Sequence, residues 1–265
     1  MSSSISSSVS ASARANSPSP LAAAGPERSA SAGDKTSAIR ALFDALSPRY
    51  DLFNRLASLG LDQRWRRRAI AAAGLKPGAR VLDLGAGTGD LALMAAAAVA
   101  PTGVVEALDL SVPMLQRARA KAARVPAGWH VRAVQAQAER LPAADRTYEA
   151  VVSGFVMRNV SDLGRTLSES HRVLRPGGRL AILEFGRPRA ALLRWGHLLW
   201  LGVGTLAIGW LVTGLRGPFT YLRRSIAGFL PPEQFLARLR EHGFAEVAAV
   251  PLLGGAVILY QGVKR

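Results

Sequence analysis

The sequence predicts an α/β fold: an open, mostly parallel seven-stranded sheet covered by helices, with an antiparallel last strand. Three observations predict it. Short apolar runs alternate with helical patterns from Gly78 onward. A glycine-rich turn, VLDLGAGTGD (81–90), joins the first run to a helix, and the last two runs are close enough in sequence to pair as a hairpin.

Residues 1 to about 36 are rich in Ser, Ala, Pro and Gly with almost no large apolar side chain, so this tail is expected to be disordered. Its serines and Arg14 give it a minor likeness to an organellar transit peptide. Residues 37–265 are assigned to one domain. Residues 37–75 carry helical periodicity broken at Ser47-Pro48 and Gly60, which predicts two or three helices ahead of the sheet. ARVLDLGAG then reads as strand and turn, DLALMAAAAVA as helix and VVEALDL as strand. SVPMLQRARAKAARV follows as a helix capped by Ser111. Next come the strands HVRAVQAQ and TYEAVVSGFV, the helix DLGRTLSESHRVL, and the strand GRLAILEFG after a Pro176-Gly177-Gly178 turn. The helix PPEQFLARLREHGF and the strands AEVAAV and GGAVILYQGV complete the chain.

The chain has no cysteine, which excludes disulfides, thiolate metal sites and cysteine nucleophiles; its four histidines are scattered, so no metal is expected. A formal charge of +16 suits an anionic partner such as acidic lipid. The arginines are spread along the chain without interleaved aromatics, so nucleic acid is not expected.

The glycine loop departs from G-x-G-x-x-G, having Asp90 where the third glycine would stand, and Asp83 precedes it. An acid beside the turn opposes a pyrophosphate and suits a cationic ligand with a ribose. S-adenosyl-L-methionine fits: Asp83, Gly85, Gly87, Thr88 and Gly154 would bind it, and Asp109 at the second strand's end would accept from the ribose hydroxyls. Gln137 and Ala138, with Glu139, would flank the adenine. Taken singly, each residue could equally serve packing or helix capping; together they mark a cofactor site.

On these residues the chain resembles the ubiquinone/menaquinone C-methyltransferase family (UbiE type), from about Ile39 to Lys264. The specific stretches are YDLFNRLASLGLDQRW (50–65), HRVLRPGGRLAILEFG (171–186) and FVMRNVSD (155–162), with PFTYLRRSI (218–226) in support. Departures are Phe53 for methionine, Asp62 for histidine, Gly186 for serine, and Gly154 where the family commonly has a cofactor-contacting serine. The resemblance implies a class I, Rossmann-like methyltransferase that transfers methyl from S-adenosyl-L-methionine to a ring carbon of a prenylated hydroquinone. This is demethylmenaquinol or the equivalent benzoquinol.

In that setting Arg158 would hold an oxyanion and Asn159 would hydrogen-bond the same oxygen. Tyr50 and Asp51 would close the site, and His197 and Tyr221 are possible bases. Structural roles stay open for each: a helix cap and salt bridge for Arg158-Asn159, helix anchoring for Tyr50-Asp51, plain packing for His197. A same-fold enzyme acting on another lipid or phenol, and a non-catalytic membrane-associated scaffold, are the alternative readings.

Trp195–Leu215 is 21 residues without a charged side chain, inside an apolar insertion expected over 187–230. A single span would strand the final two sheet strands across the bilayer, so an in-plane helix or shallow hairpin against the membrane is expected. Trp195, Trp200 and Trp210 would sit at the interface, with Arg194, Arg216, Arg223 and Arg224 near headgroups. A buried hairpin or a dimer contact is the alternative, and homo-oligomerisation stays open. The expected location is the cytoplasm, peripheral to the membrane's inner face.

Overall fold

The alternation of apolar runs and helices yields, in a computed structural model describing residues 32–215 and 217–265, one mixed sheet of seven strands. The expectation for residues 1–31 and the headgroup role expected of Arg216 lie outside the described residues. The strands are β1 (Arg80–Leu84), β2 (Val104–Asp109), β3 (Val131–Gln135), β4 (Tyr148–Gly154), β5 (Leu174–Phe185), β6 (Phe244–Leu252) and β7 (Val257–Lys264). Their order is β3-β2-β1-β4-β5-β7-β6, with β7 antiparallel to both neighbours. The first five strands pair in parallel, and β1 lies between β2 and β4, where the order reverses. In open sheets of this kind ligands bind outside the carboxyl ends of the strands at that point.

Strand alternation divides the core into two layers. Leu82, Leu84, Leu180 and Ile182 face α6 (Leu163–Val173) and α10 (Pro232–Glu241). Val81, Ala181 and Leu183 face α3 (Leu61–Ala73) and α4 (Asp90–Val99). Asp83 alternates with Leu82 and Leu84, so it projects toward the α3–α4 layer, an apolar place for a carboxylate. Helix α5 (Val112–Ala122) opens on Ser111, whose hydroxyl accepts from Met114 N at 3.3 Å.

A third apolar cluster caps the carboxyl end of the sheet. It joins α1 (Ala32–Leu46) and α2 (Tyr50–Ala57) to α8 (Thr205–Thr213) and α9 (Gly217–Gly228), through Leu42, Leu46, Phe53 and Phe219. The Phe53 and Phe219 rings stand 4.5 Å apart.

Two expectations change. Helix α1 starts at Ala32, inside the expected tail; Lys35 Nζ donates to Val160 O at 2.6 Å, and the Thr36 and Ser161 hydroxyls bond, so long-range contacts hold a polar segment that lacks apolar anchors. Strand β5 begins at Leu174 and absorbs the Pro176-Gly177-Gly178 turn as an irregularity, with Gly177 at φ 76° and the β4 register shifted opposite.

Of the helix or hairpin expected for Trp195–Leu215, the stretch takes the helix and does not fold back on itself. Helix α7 (Ala191–Leu199) continues through a π turn (Trp200–Gly204) into α8, giving one helix from Ala191 to Thr213 that ends at Gly214 with φ 74°. Two of its glycines serve close packing: a Cβ on Gly209 would overlap the Phe219 ring, and one on Gly204 would strike Trp200.

Candidate functional site

The ends of β1, β2 and β4 frame a cleft with about 790 Å³ of empty space, part of it open to solvent. Its floor is the glycine loop, where Gly85, Gly87 and Gly89 take φ of 71°, 55° and 85°. Gly85 has no room for a side chain, since a Cβ would overlap Val156. Asp109 lines the wall; its Oδ2 accepts from Gly87 N and its Oδ1 from Ser111 N, both at 2.8 Å. Burial raises its pKa, and backbone N–H groups of Ser111 and Gly87 pull it back.

Gln137, Ala138, Glu139 and Gly154 line the same cavity, and so does Asn159. Glu139 is also committed to structure, its Oε1 accepting from Ser161 N at 2.7 Å. Asp83, near the end of β1, does not line the cavity; it is fully buried, with neither carboxylate oxygen hydrogen-bonded. Burial lifts its pKa from the ordinary 3.8 to about 7, against the pull of the Arg66 guanidinium.

A second cavity of about 880 Å³ opens beside the first, and Phe43, Tyr50 and Phe155 line both. It is walled by aromatic and aliphatic side chains, among them Phe53, Trp65, Phe185, Trp200, Leu201 and Phe219. Arg158, expected at the fourth strand's end, lines this one. Its Nη1 donates to Glu184 Oε1 at 2.7 Å and to Phe155 O, while Nε has no partner. The guanidinium carbon stands 5.0 Å from the centre of the Phe185 ring. Glu184 is 0% exposed and also accepts from Arg158 N at 3.2 Å, so two bonds aim the arginine.

Tyr221 lines the second cavity and its hydroxyl donates to Asn159 Oδ1 at 3.1 Å. Burial raises its pKa, Arg158 lowers it and Glu184 raises it, for a net rise. The phenol therefore stays protonated and acts as a donor, not as the base expected from sequence.

Three of the expected positions, Asp51, Thr88 and His197, lie outside both cavity linings. Asp51 lines neither cavity: it accepts from the Thr88 hydroxyl and pairs with Lys121 Nζ at 2.7 Å, which also holds Asp90 at 2.6 Å. Successive helical residues diverge by about 100°, so Tyr50 facing the cavities turns Asp51 toward α4 and α5. Thr88 is buried in that network and does not line the cofactor cavity. His197 lies in α7 and lines neither cavity; burial lowers its pKa.

The model of the ubiE/COQ5 methyltransferase family matches residues 31–264. The chain belongs to that family. Among curated relatives, the demethylmenaquinone methyltransferase of Symbiobacterium thermophilum is 37% identical over 88% of this chain and 94% of its own length. That of Thermus thermophilus is 42% identical over 77% and 91%. The ubiquinone/menaquinone biosynthesis C-methyltransferase UbiE of Syntrophotalea carbinolica is 40% identical over 85% and 93%. Among solved structures, an S-adenosylmethionine-dependent methyltransferase from Aquifex aeolicus superposes with a TM-score of 0.57 at 18% identity, covering 77% of this chain and 92% of that one. The [4+2]-cyclase SpnF reaches 0.61 at 17%, covering 86% and 96%. These two similarities establish the fold alone, and SpnF's name shows that the fold does not dictate one reaction.

A ubiE/COQ5 methyltransferase of this fold implies S-adenosyl-L-methionine as methyl donor, and the residues present suit it. The orphaned Asp83 carboxylate wants a cation, the Gly85 cradle excludes side chains, and Asp109 stands where ribose hydroxyls would be held. Arg66, which sequence reasoning missed, lines the second cavity with its side chain 9% exposed. The signal was there: Asp62, Trp65, Arg66, Ala69 and Ala73 form the buried stripe of α3, and an arginine within such a stripe calls for a partner.

Proposed function

We propose that this methyltransferase methylates a ring carbon of a prenylated hydroquinone, demethylmenaquinol or its benzoquinol counterpart. The donor would occupy the glycine-loop cavity and the quinol the aromatic one. The observation that carries this reading is Arg158, a buried cation with an unpaired Nε in an aromatic cavity that shares a wall with the donor site. When bound, S-adenosyl-L-methionine supplies a methyl group already activated on a sulfonium.

The protein's task is to make the acceptor carbon nucleophilic and to align it. Loss of the neighbouring hydroxyl proton places charge on an oxygen, and Arg158 would stabilise that oxyanion in a site shielded from water. Tyr221, held protonated, commits its single hydroxyl proton to Asn159 Oδ1 and would thereby fix the Asn159 side chain. Tyr50, Phe43 and Phe155, common to both cavities, would set the approach of ring to methyl.

The relatives' printed names support a quinone-pathway acceptor. The insertion supports a membrane-borne one. Helix Ala191–Thr213 is long and apolar enough to cross a membrane, yet it lies along the domain, where Trp200 Nε1 donates to Ala57 O at 3.0 Å. Trp200, Leu201 and Thr205 roof the second cavity, while Leu192, Trp195 and Leu211 are 84%, 73% and 79% exposed on the outside. Such a helix seated in the plane of an acidic bilayer, with the exposed Arg194, Arg223 and Arg224 at the headgroups, would let a prenyl tail pass from lipid to cavity. This gives a peripheral enzyme on the membrane's inner face.

The test is transfer of labelled methyl from S-adenosyl-L-methionine to demethylmenaquinol and to the benzoquinol analogue by the purified enzyme on liposomes. Labelling of either quinol is expected and is abolished in Arg158→Ala. No labelling of either, with folded protein that binds donor, refutes the reading.

A further inference from the structure

Asp83 and Arg66 are oppositely charged, buried in the same layer of the core, and each is left with unpaired polar atoms. Arg66 is the strongest charge opposing the burial of Asp83, yet no hydrogen bond joins them. The neighbouring carboxylate relieves Arg66 only in part, as an ion pair without a hydrogen bond. Asp62 Oδ2 is 3.7 Å from Nε, beyond hydrogen-bond distance, and Asp62 is occupied by Ser58 at 3.1 Å and Gln63 at 2.9 Å.

The guanidinium reaches the boundary of the donor cavity. A Cβ on Gly154, which lines that cavity, would lie 3.1 Å from Arg66 Nη1, so the glycine keeps open the space into which the arginine points. A buried guanidinium and a buried carboxylate lacking hydrogen bonds are both costly. One zwitterionic ligand relieves both at once without changing the net charge of the site. A phenolate would satisfy Arg66 and leave Asp83 orphaned.

We infer that Arg66 is a further donor-binding residue: its guanidinium takes the α-carboxylate of the methyl donor's amino-acid end while Asp83 takes the α-ammonium. This rests on the reading of S-adenosyl-L-methionine as donor. The pair makes the site selective for donors that keep the carboxylate, and it assigns the two buried arginines separate duties. Arg158 serves the acceptor and Arg66 the donor.

The test is calorimetric and needs no turnover. Wild-type protein is titrated with S-adenosylhomocysteine and with its decarboxylated form, which keeps the amine and lacks only the carboxylate. A charge-assisted pair in a buried site predicts that the decarboxylated ligand binds about tenfold or more weakly. In Arg66→Met that difference collapses to within about threefold, and in Arg66→Lys most of it returns.

Equal binding of the two ligands by wild type overturns the inference, even if Arg66→Met proves too unstable to purify. So does an Arg66→Met variant that retains the full difference. So, too, does one that raises KM for the quinol with donor selectivity intact, which would place Arg66 on the acceptor. Failure of wild type to bind S-adenosylhomocysteine at all refutes the donor reading itself and is thereby distinguished.

Discussion

Replacing Asp83 by Asn removes a buried charge while keeping the shape of the side chain, and the structure sets the size and the sign of the result. The carboxyl is raised from 3.8 to about 7 by burial, with both oxygens unpaired. Below the unfolded value both states hold the proton and the group contributes no difference. Between 3.8 and about 7 the unfolded chain ionises while the folded one does not, so stability falls as pH rises; above about 7 the cost is fully present. That span, at about 1.4 kcal/mol for each pH unit, amounts to about 4 kcal/mol.

Ligand-free Asp83→Asn should therefore gain stability over wild type by a few kcal/mol at pH 8 and by much less at pH 5. Urea unfolding of both proteins at the two pH values measures it, and groups common to both cancel in the comparison. The donor's ammonium needs the ionised form, so wild-type affinity for S-adenosylhomocysteine should weaken about tenfold per pH unit below about 7. Asp83→Asn should bind it poorly at every pH. An advantage for Asp83→Asn that is the same at pH 5 and pH 8, together with pH-independent binding by wild type, would refute the reasoning.

Tyr221→Phe removes the hydroxyl that holds Asn159 in place, and kcat should drop about tenfold in the methyl-transfer assay with little change in melting temperature. Asp51→Asn, by contrast, should keep kcat within about threefold and lower thermal stability slightly, because its partners are Thr88 and Lys121. Gly85→Ala places a methyl group against Val156 at φ 71° and should destabilise by more than about 2 kcal/mol in denaturant unfolding, with loss of donor binding. Leu192→Glu with Leu211→Glu should release the enzyme from acidic liposomes in a sedimentation assay while S-adenosylhomocysteine binding survives; loss of that binding would make the helix part of the core.

Much of the sheet was legible because its signals are local. Apolar runs, Ser111 as cap and the Pro231-Pro232 start of α10 each report the backbone around them. The glycine-loop cavity was legible for a related reason: Gly85, Asp109 and Gln137 all sit at or just past strand ends, and strand ends share one edge of a parallel sheet. Asp51 failed because sequence adjacency to Tyr50 says nothing about direction when each helical step turns the side chain by about 100°. The start of α1 at Ala32 depends on Val160 and Ser161, more than a hundred residues away, and no window along the chain contains both ends. Arg66 was hidden among the neighbouring arginines Arg64, Arg67 and Arg68, and only the inward stripe of α3 separates it from them.

The long helix lines the aromatic cavity on one flank and turns uncovered indoles and leucines outward on the other. For an enzyme resting on a lipid sheet, the relevant substrate dose is molecules per unit area, not per litre. Diluting the quinol with more phospholipid should then slow turnover even when the total amount in the tube is constant.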